Sequence, residues 1–385
     1  LIIMHICFIT PEYPKIGFPH GGIGTFISTI GKALVAKHHK VSVVGFNIYT
    51  DTEECENDEG VIIYRLKPNK LKGLTWWLNS RDVNHKLKEI HQESPIDIVE
   101  AAELGFAFIK KDKSIKYIIR LHGGHHFFAE AERRKLTRWK SFQERRSFKK
   151  ADGFIAVSKY VKSHTENYLS YGNKPIEVIM SPINLDVFKP QSDIKVRPNT
   201  ILFAGTVCEK KGVFQLVKAL PRVIEEFPDI QLYIYGRDWF FKDGRSYINY
   251  LKDFIAKQKM NESHIKFMGS IPMQELAQKY AEAEICIFPS LMETQGLVAP
   301  EAMATKKLVI FSECGPGPET VEHKVTGLLC NPYDVDDISD NIIWALKNKE
   351  ACEEIANNAR AFVQSNFGID YLCDRNLEFY NKLMA

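Results

Sequence analysis

The clearest structural signal in this chain is the stretch Pro289-Ser-Leu-Met-Glu-Thr-Gln-Gly-Leu-Val-Ala-Pro-Glu-Ala-Met-Ala304. An apolar run at residues 285–288 precedes it and predicts a short buried strand. Gly296 then suits a tight turn, and residues 299–304 begin a helical pattern with Pro300 in its first turn. A strand, a turn and a helix start in this order leave backbone N–H groups free, so the stretch predicts an anion-binding turn at a strand end.

Two carboxylates, Glu293 and Glu301, lie within the same stretch. Carboxylates accept hydrogen bonds from neutral donors such as sugar hydroxyls, whereas the amides at a helix start attract phosphate. Together these groups would suit a nucleotide sugar. The alternative is plain capping, because glycine before a helix is common and glutamates near a helix N-terminus often only complement the helix dipole. These residues by themselves leave both interpretations open.

Length and composition describe an ordinary globular protein with two domains. The chain has 385 residues, more than a single hydrophobic core usually supports, with 45% apolar and 26% charged residues. A net charge of +3 gives no argument for a nucleic-acid partner. The eight cysteines form no CxxC pair and no zinc-spaced cluster with histidine, so we expect reduced thiols, a cytoplasmic protein and no metal site.

Short apolar runs alternate with helical patterns along the chain, which predicts parallel sheets covered by helices on both faces. The predicted strands of the first half are residues 5–10, 41–46, 61–66, 97–100, 117–121, 151–158 and 176–180. Those of the second half are residues 200–204, 231–235, 265–268, 285–288, 308–311 and 327–330. Between the two series, residues 189–199 are rich in Pro, Asp, Lys and Gln, and we place a domain boundary there.

In the first half, functional candidates follow two predicted strands, where ligands bind in open α/β sheets. Gly22 and Gly24 come after the first strand, and a glycine turn there could approach a phosphate or sugar, or could simply be a tight turn. His122 directly follows the strand at 117–121 and precedes two glycines, which favours a function over a structural role. Glu103 or Asp97 could contact an acceptor, or could be surface residues.

In the second half, Gly205, Lys210 and Lys211 follow the strand at 200–204. Lysines beside a glycine turn can bind a diphosphate as point charges, although exposed lysines are common in loops. The residues leave the choice open.

The most basic segment, residues 133–150, interleaves arginine and lysine with Leu136, Trp139 and Phe142 at helical spacing. One interpretation is a surface that meets anionic lipid or a phosphate-bearing acceptor. The other is a solvated helix face whose long basic side chains cover apolar surface.

Taken together, these motifs resemble those of the retaining glycosyltransferases of family 4, the glycosyl transferases group 1. The resemblance spans nearly the whole chain. It is carried by Gly21-Gly22-Ile-Gly24, Ala151-Asp152…Ser158, Asn184-Leu-Asp186…Phe188, Gly205…Lys211-Gly212, Pro289-Ser290…Glu293…Glu301-Ala-Met-Ala304, Pro318-Glu319 and Thr326-Gly-Leu-Leu…Pro332…Asp334.

The resemblance implies the GT-B fold, in which two Rossmann-like α/β domains face each other across a cleft. The N-terminal acceptor domain would comprise residues 1–190 and the C-terminal nucleotide-sugar donor domain residues 191–366. A final helix within residues 367–385 would cross back to the first domain.

The resemblance also implies roles for individual residues. Glu301 would accept hydrogen bonds from the donor's ribose, and Glu293 would hold hydroxyls of the transferred sugar. Lys211 would neutralise the diphosphate leaving group, and His122 would lie near the anomeric centre. The remaining implied contacts are the turn glycines and the amides near the diphosphate or sugar: Gly22, Gly24, Gly205, Gly296, Leu297 and Val298.

Two departures from the family pattern concern the donor. The family often has Gly-Arg where this chain has Gly205-Thr206, and we expect Lys210 to supply the missing charge. Thr294-Gln295 stands where glycine and an aromatic residue are common, which leaves the identity of the sugar open.

The resemblance implies metal-independent, retaining transfer of a hexose-type sugar in polysaccharide or glycoconjugate synthesis. We expect a UDP-sugar donor, with a GDP-sugar as the alternative, and a saccharide or lipid-linked acceptor. Residues 133–150 are the candidate contact with the inner face of a membrane. The rival functions are a nucleotide-sugar epimerase of the same architecture and a noncatalytic nucleotide-sugar-binding protein.

Overall fold

The structure is a computed structural model that describes residues 3–18, 21–132 and 134–385. Internal contacts divide the chain into an N-terminal unit, Leu1–Pro182 with Ile369–Ala385, and a C-terminal unit, Ile183–Gly368. Arg133, the first residue of the predicted basic segment, lies outside the described residues.

The N-terminal unit is built on a sheet in the order β3-β4-β2-β1-β5-β6-β7-β8. Its strands are β1 (His5–Ile9), β2 (Lys40–Phe46), β3 (Glu54–Asp58), β4 (Val61–Leu66), β5 (Ile98–Ala101), β6 (Lys116–Leu121), β7 (Gly153–Ala156) and β8 (Ile176–Val178). Its first helices are α1 (Gly22–Ala36), α2 (Thr75–Glu93), α3 (His125–Ala131), α4 (Arg138–Lys150) and α5 (Lys159–Glu166). The strands pair in parallel, apart from the antiparallel pair of β3 and β4.

The C-terminal unit has a parallel sheet in the order β11-β10-β9-β12-β13-β14. Its strands are β9 (Thr200–Ala204), β10 (Gln231–Tyr235), β11 (Ile265–Gly269), β12 (Ile285–Phe288), β13 (Leu308–Ser312) and β14 (Leu328–Cys330). Its helices are α6 (Val213–Glu226), α7 (Tyr247–Lys257), α8 (Met273–Glu282), α9 (Val298–Ala304), α10 (Gly317–Thr320), α11 (Val335–Lys347) and α12 (Lys349–Asn366).

Both sheets reverse their strand order at one point, between β1 and β5 in the first and between β9 and β12 in the second. Chains that leave neighbouring strands on either side of such a point turn away to opposite faces of the sheet, and a crevice opens at the carboxyl ends. The turns after β9 and β12 therefore share the position where an α/β sheet binds its ligand. The predicted candidates in the second half of the chain lie on these two turns and in the first turn of α9.

The last helix, α13 (Ile369–Met384), belongs to the N-terminal unit, which confirms the expected return of the chain to its first domain. It is anchored by a buried polar network on β5 and β6. The Arg120 guanidinium donates to both oxygens of Glu100, at 2.6 and 3.2 Å, and also bonds the Asn376 side chain. The Tyr380 hydroxyl donates to Glu100 at 2.7 Å. Buried charges are stable only when paired and hydrogen-bonded in this way.

Two details differ from the sequence-based expectations. Helix α1 begins at Gly22, so Gly22 and Gly24 lie in its first turn and not in a loop before it. Strand β3 was not predicted, because its sequence Glu-Cys-Glu-Asn-Asp is charged and strand propensity is low. It forms the edge of the sheet, where alternate side chains face solvent.

Candidate functional site

In the C-terminal unit, the turn after β9 packs directly on the turn after β12. The backbone of Gly212 has a φ of +69°, and a Cβ atom there would overlap the carbonyl oxygen of Pro289. The N–H groups of Leu291 and Met292 both donate to the Lys210 carbonyl oxygen, at 2.9 and 3.2 Å. A glycine is therefore required at position 212, and the two turns form one connected structure at the ligand-binding edge of the sheet.

Lys211 and Glu293 meet across these turns as a hydrogen-bonded ion pair. The Ser290 hydroxyl donates to the same Glu293 oxygen at 3.0 Å and so fixes the carboxylate. The side chains of Lys211 and Glu293 keep 23% and 9% of their surface exposed, so both charges can reach a ligand. An incoming anion could share the lysine, and the carboxylate could then accept hydrogen bonds from hydroxyl groups.

The start of α9 lies beside this pair. Gly296 has a φ of +78°, and a Cβ atom there would come within 2.6 Å of the Phe311 ring. Leu297 caps the helix and Val298 is its first residue, one position before the predicted start. N–H groups of a first helical turn have no partner within the helix, so these amides are available to an acceptor.

Glu301 occupies the first turn of α9 and accepts a hydrogen bond from the Tyr280 hydroxyl at 3.4 Å. Tyr280 lies on α8 and is fully buried. The Glu301 residue as a whole is partly exposed. Burial of its carboxyl group nevertheless raises the pKa to about 8, a rise that the Tyr280 hydrogen bond opposes. Hydrogen-bond donors of a ligand would lower the pKa of Glu301, as Tyr280 does, and so favour the ionised carboxylate.

Arg237 is a candidate that the sequence analysis missed. It follows β10, the neighbour of β9, and its Nε donates to the Thr206 hydroxyl at 3.4 Å. The exposed guanidinium thus lies against the residue that stands where the family often has arginine. The sequence does contain a signal for it, the Gly236-Arg237 pair after a strand. Its proximity to Thr206, however, follows only from the pairing of β10 with β9.

In the N-terminal unit, His122 follows β6 directly, as predicted, and is partly exposed. Its ring lies 5.8 Å from the Phe26 ring, and the Arg120 guanidinium lies over the same Phe26 ring, 4.3 Å from its centre. Burial of its imidazole ring, with a smaller contribution from the charge of Arg120, nevertheless lowers the pKa of His122 to about 3. The imidazole is therefore neutral at physiological pH and can donate one hydrogen bond and accept another.

Beneath the turn that carries His122, two buried carboxylates support the chain. Glu103 is 4% exposed, and burial raises its pKa to about 7, although the His122 and Gly123 amides hydrogen-bond to it. Glu144 accepts hydrogen bonds from the His125 amide and from the His126 ring. The sequence does not predict these two Glu144 contacts, because Glu144 lies on α4, 18 or 19 residues further along the chain. Glu103 is therefore a support of the turn and not a surface residue.

Asp97 has a different role from an acceptor contact. It precedes β5, at the amino end of the strand, whereas His122 follows the carboxyl end of β6. Its carboxylate accepts a hydrogen bond from the His5 amide at 2.8 Å. Asp97 therefore joins two strands at the edge of the sheet opposite to His122.

Gly24 is explained by packing, because a Cβ atom there would overlap the backbone oxygen of Glu12. An added Cβ at Gly22 would meet no atom within 4 Å. That open space is compatible with the predicted approach of a ligand to Gly22, which stays a prediction.

Among residues 3–18, 21–132 and 134–385, no group of three or more histidine, cysteine, aspartate or glutamate side chains is arranged to hold a metal ion. Within the same residues, no helix combines the length and apolar character needed to cross a membrane.

Two family models match consecutive parts of the chain. The model described as Glycosyltransferase Family 4 matches residues 20–187, and that described as Glycosyl transferases group 1 matches residues 186–362. One similar protein is a GDP-mannose-dependent monoacylated alpha-(1-6)-phosphatidylinositol monomannoside mannosyltransferase of Corynebacterium glutamicum. The two are 25% identical over 92% of this chain and 93% of the relative.

Solved structures with the same architecture cover nearly the whole chain. Sucrose-phosphate synthase from Thermosynechococcus elongatus superposes with a TM-score of 0.86 at 20% identity, over 99% of both chains. Alr3699/HepE of Anabaena, in complex with UDP and glucose, superposes with a TM-score of 0.78 at 17% identity, over 98% of this chain and 99% of the other. These likenesses establish the fold. The chain is a GT-B glycosyltransferase that belongs to the family 4 enzymes, the glycosyl transferases group 1.

Proposed function

We propose that this glycosyltransferase moves a hexose-type sugar from a nucleotide-diphosphate sugar to a hydroxyl acceptor with retention of the anomeric configuration. The observation that carries the proposal is the Lys211–Glu293 ion pair. It lies on the two connected turns after β9 and β12, where the C-terminal sheet reverses its strand order. We favour a UDP-sugar, because a structural neighbour binds UDP and glucose. A GDP-sugar is the alternative, because one relative is GDP-mannose-dependent.

The donor would be held by groups of opposite character. Lys211 and the amides of Gly296, Leu297 and Val298 would bind the diphosphate, since a cation and a helix start both attract an anion. Glu301 would accept hydrogen bonds from the ribose hydroxyls. The turn at Gly205 would let the nucleotide approach the backbone. Lys210 and Arg237 would add positive charge, Arg237 from the position beside Thr206.

The chemical step would depend on charge stabilisation. Breaking the bond between the anomeric carbon and the diphosphate leaves negative charge on the leaving group and positive charge on the sugar. Lys211 and the α9 amides would stabilise the negative charge of the leaving group, and preorganised donors of this kind are usually the largest catalytic term. In this proposal they take the role that a metal ion has in other transferases.

Glu293 would exchange partners when the donor binds. Without donor it is paired with Lys211 and Ser290. The diphosphate would draw Lys211 toward itself, and the carboxylate would then accept hydrogen bonds from the transferred sugar. His122, neutral because of burial, would contact the same sugar as donor or acceptor of a hydrogen bond.

The acceptor hydroxyl would attack the face of the sugar that the diphosphate leaves, through a short-lived ion pair, so that no covalent enzyme intermediate is required. We propose a role in cell-surface polysaccharide or glycoconjugate synthesis in the cytoplasm. The free cysteine thiols are compatible with a reducing compartment.

A screen of nucleotide sugars tests this function. A ligand that binds only the native state raises the melting temperature, and we expect one UDP- or GDP-sugar to raise it more than the free nucleotide does. The selected donor is then supplied with saccharide and lipid-linked acceptors, and the product is examined by NMR for the configuration at its anomeric carbon. An inverted product would disprove retention. Interconversion of the donor sugar without transfer would identify an epimerase, and binding without turnover would identify a noncatalytic protein.

A further inference from the structure

Four aromatic side chains of the N-terminal unit form a connected cluster that is largely open to solvent. We call Trp76, Phe108, Trp139 and Phe142 the aromatic cluster. The Trp76 ring lies 4.6 Å from Phe108 and 5.6 Å from Trp139, and the Trp139 ring lies 5.7 Å from Phe142. Trp76, Trp139 and Phe142 nevertheless keep 41%, 47% and 44% of their surface exposed.

This exposure is unusual for such large apolar groups in one place. Single exposed hydrophobic residues are ordinary, but a contiguous exposed patch marks an interaction site in a soluble protein. Leu74 and Trp77, two positions before and one position after Trp76, are exposed as well, at 49% and 50%. Tryptophan and phenylalanine are also the residues that settle at the boundary between lipid and water.

The topology places the aromatic cluster at the same edge of the sheet as His122. Trp76 is the second residue of α2, and Trp139 is the second residue of α4. Each helix connects strands that run in parallel, so it runs antiparallel to them and begins near their carboxyl ends. His122 follows the carboxyl end of β6 and lies at that edge too.

Helix α4 surrounds the cluster with positive charge. Its exposed basic residues Arg138, Arg145 and Lys149, which we call the basic face, lie on one side of the helix and form no ion pair with any residue that the structure describes. The acidic residue of α4, Glu144, is buried and bonds the His125 amide and the His126 ring, so it does not offset that charge.

Two further basic residues of α4 strengthen its attachment instead. The Arg146 guanidinium lies 5.7 Å from the centre of the Phe108 ring and donates to the Ala107 carbonyl oxygen at 2.6 Å. The Lys150 ammonium donates to the carbonyl oxygens of Ala107 and Ile109. The basic face is therefore presented by a helix that is fixed to the unit.

The combination of charge and apolar surface indicates what binds at this place. If α4 faced only water, the exposed aromatic cluster would have no use. A second copy of the chain would bring two basic faces together, and like charges repel. An anionic bilayer satisfies both features, since its headgroups attract lysine and arginine while its boundary region takes up aromatic rings.

We infer that the aromatic cluster and the basic face together form a docking surface for a membrane of anionic lipid. The surface would bring the edge of the sheet that carries His122 to the bilayer. Together with the proposed transferase function, on which this last step rests, docking implies an acceptor carried on a lipid.

Sedimentation with vesicles tests the docking surface. We expect the full chain to bind vesicles of phosphatidylcholine with about one-third phosphatidylglycerol, and to bind pure phosphatidylcholine weakly. Arg138→Ala with Arg145→Ala should reduce the affinity roughly 25-fold, about fivefold for each charge, and high salt should act in the same direction. Trp139→Ser with Phe142→Ser should reduce it about tenfold or more.

Matched controls come from exposed residues elsewhere. Lys88→Ala with Lys113→Ala removes two exposed charges of the same unit, and Trp239→Ser removes a tryptophan of the C-terminal unit that is 43% exposed. Both control variants should bind vesicles like the unchanged chain. As a measurement that needs no variant, tryptophan fluorescence should shift to shorter wavelength on anionic vesicles and should be quenched by brominated lipid.

Several results would overturn the docking surface. These are equal binding to neutral and anionic vesicles, no binding at all, or loss of binding in the control variants. A concentration-dependent dimer that Trp139→Ser with Phe142→Ser dissolves would identify a second copy as the occupant. Tight binding of single-stranded RNA, lost in the same variants, would identify a nucleic acid.

A parallel donor-binding measurement separates this inference from the proposed function. We expect the docking variants to show the same rise in melting temperature with the nucleotide sugar as the unchanged chain. Vesicle binding without any response to nucleotide sugars would leave the docking surface standing and contradict the transferase proposal. The reverse result would contradict only the docking surface.

Discussion

The two units carry their candidate residues in different ways. In the C-terminal unit, Lys211 and Glu293 lie on turns, contact each other directly and stay partly accessible. In the N-terminal unit, His122 rests on Phe26 and lies near a buried network in which Arg120 and Glu100 are 1% and 2% exposed. One unit keeps its charged pair accessible, whereas the other buries its charges in a network near a neutral side chain.

This difference follows from the chemistry each unit would perform. A diphosphate needs accessible positive charge and free amides, so the residues that bind it must stay near the surface. A histidine that contacts a developing sugar cation is more useful neutral, and burial together with a nearby arginine keeps it so. Changes to the accessible pair should therefore affect reaction and donor binding, while changes to the internal network should affect folding.

The largest expected effect is on stability, from Glu100→Ala. The substitution leaves the Arg120 guanidinium buried without its partner, and breaking a buried pair in this way costs about 3–5 kcal/mol in the free energy of unfolding. Urea denaturation measures the loss. Glu177→Ala, which removes a partly exposed carboxylate of the same unit, is the control and should cost about 1 kcal/mol or less. Equal losses in the two variants would show that the buried network has no special role.

Lys211→Ala should produce the largest change in turnover. Loss of one preorganised donor to the leaving group lowers kcat about 10²- to 10³-fold. Lys257→Ala, at the exposed C-terminal end of α7, is the matched control and should keep its turnover. Steady-state kinetics with the donor found by the screen measures both. A normal kcat for the Lys211→Ala enzyme would show that Lys211 does not bind the leaving group.

Glu301→Ala should act mainly on donor binding. Hydrogen bonds between hydroxyls and a charged group contribute about 1.5–3 kcal/mol, so the affinity should fall roughly 10- to 100-fold. Calorimetric titration with the nucleotide sugar and with the free nucleotide should show the same loss for both, because the ribose is common to them. A loss confined to the sugar nucleotide would assign Glu301 to the transferred sugar instead.

The last expected effect is the pH dependence that Glu103 confers on the N-terminal unit. Its folded pKa of about 7 lies above the ordinary value of 4.5, so its contribution to stability is fully present below pH 4.5 and is lost as the pH rises through 7. Each unit of pKa difference corresponds to about 1.4 kcal/mol.

The variant Glu103→Gln should remove this dependence. We expect the free energy of unfolding of the unchanged chain to fall relative to the variant between pH 4.5 and 7, as measured by denaturation at each pH. The opposite dependence of His122, whose pKa is lowered, cancels in the comparison because both proteins contain that histidine. A constant difference across this range would contradict the raised pKa.

The sequence predicted the parts of the molecule that depend on local pattern. Strands such as β9 and β12, a helix start within one residue of Ala299 and the position of His122 at a strand end follow from apolar runs and glycines. The family resemblance added the GT-B fold and the return of the last helix, which the structure confirms.

The rest depends on contacts between distant residues. Glu100 and Tyr380 are 280 positions apart and meet only because α13 returns to the first sheet. Arg237 lies beside Thr206 because β10 pairs with β9, and Glu144 lies beneath His122 because of how α4 packs. No local pattern marks these partners.

The central claim is that the C-terminal unit binds the donor's diphosphate through Lys211 and the start of α9. A crystal structure of the chain with its nucleotide-diphosphate sugar measures this directly. We predict that diphosphate oxygens lie within hydrogen-bond distance of the Lys211 ammonium and of the amides at Gly296 to Val298, with the ribose hydroxyls on Glu301. A diphosphate bound elsewhere, with Lys211 still paired only to Glu293, would contradict the account.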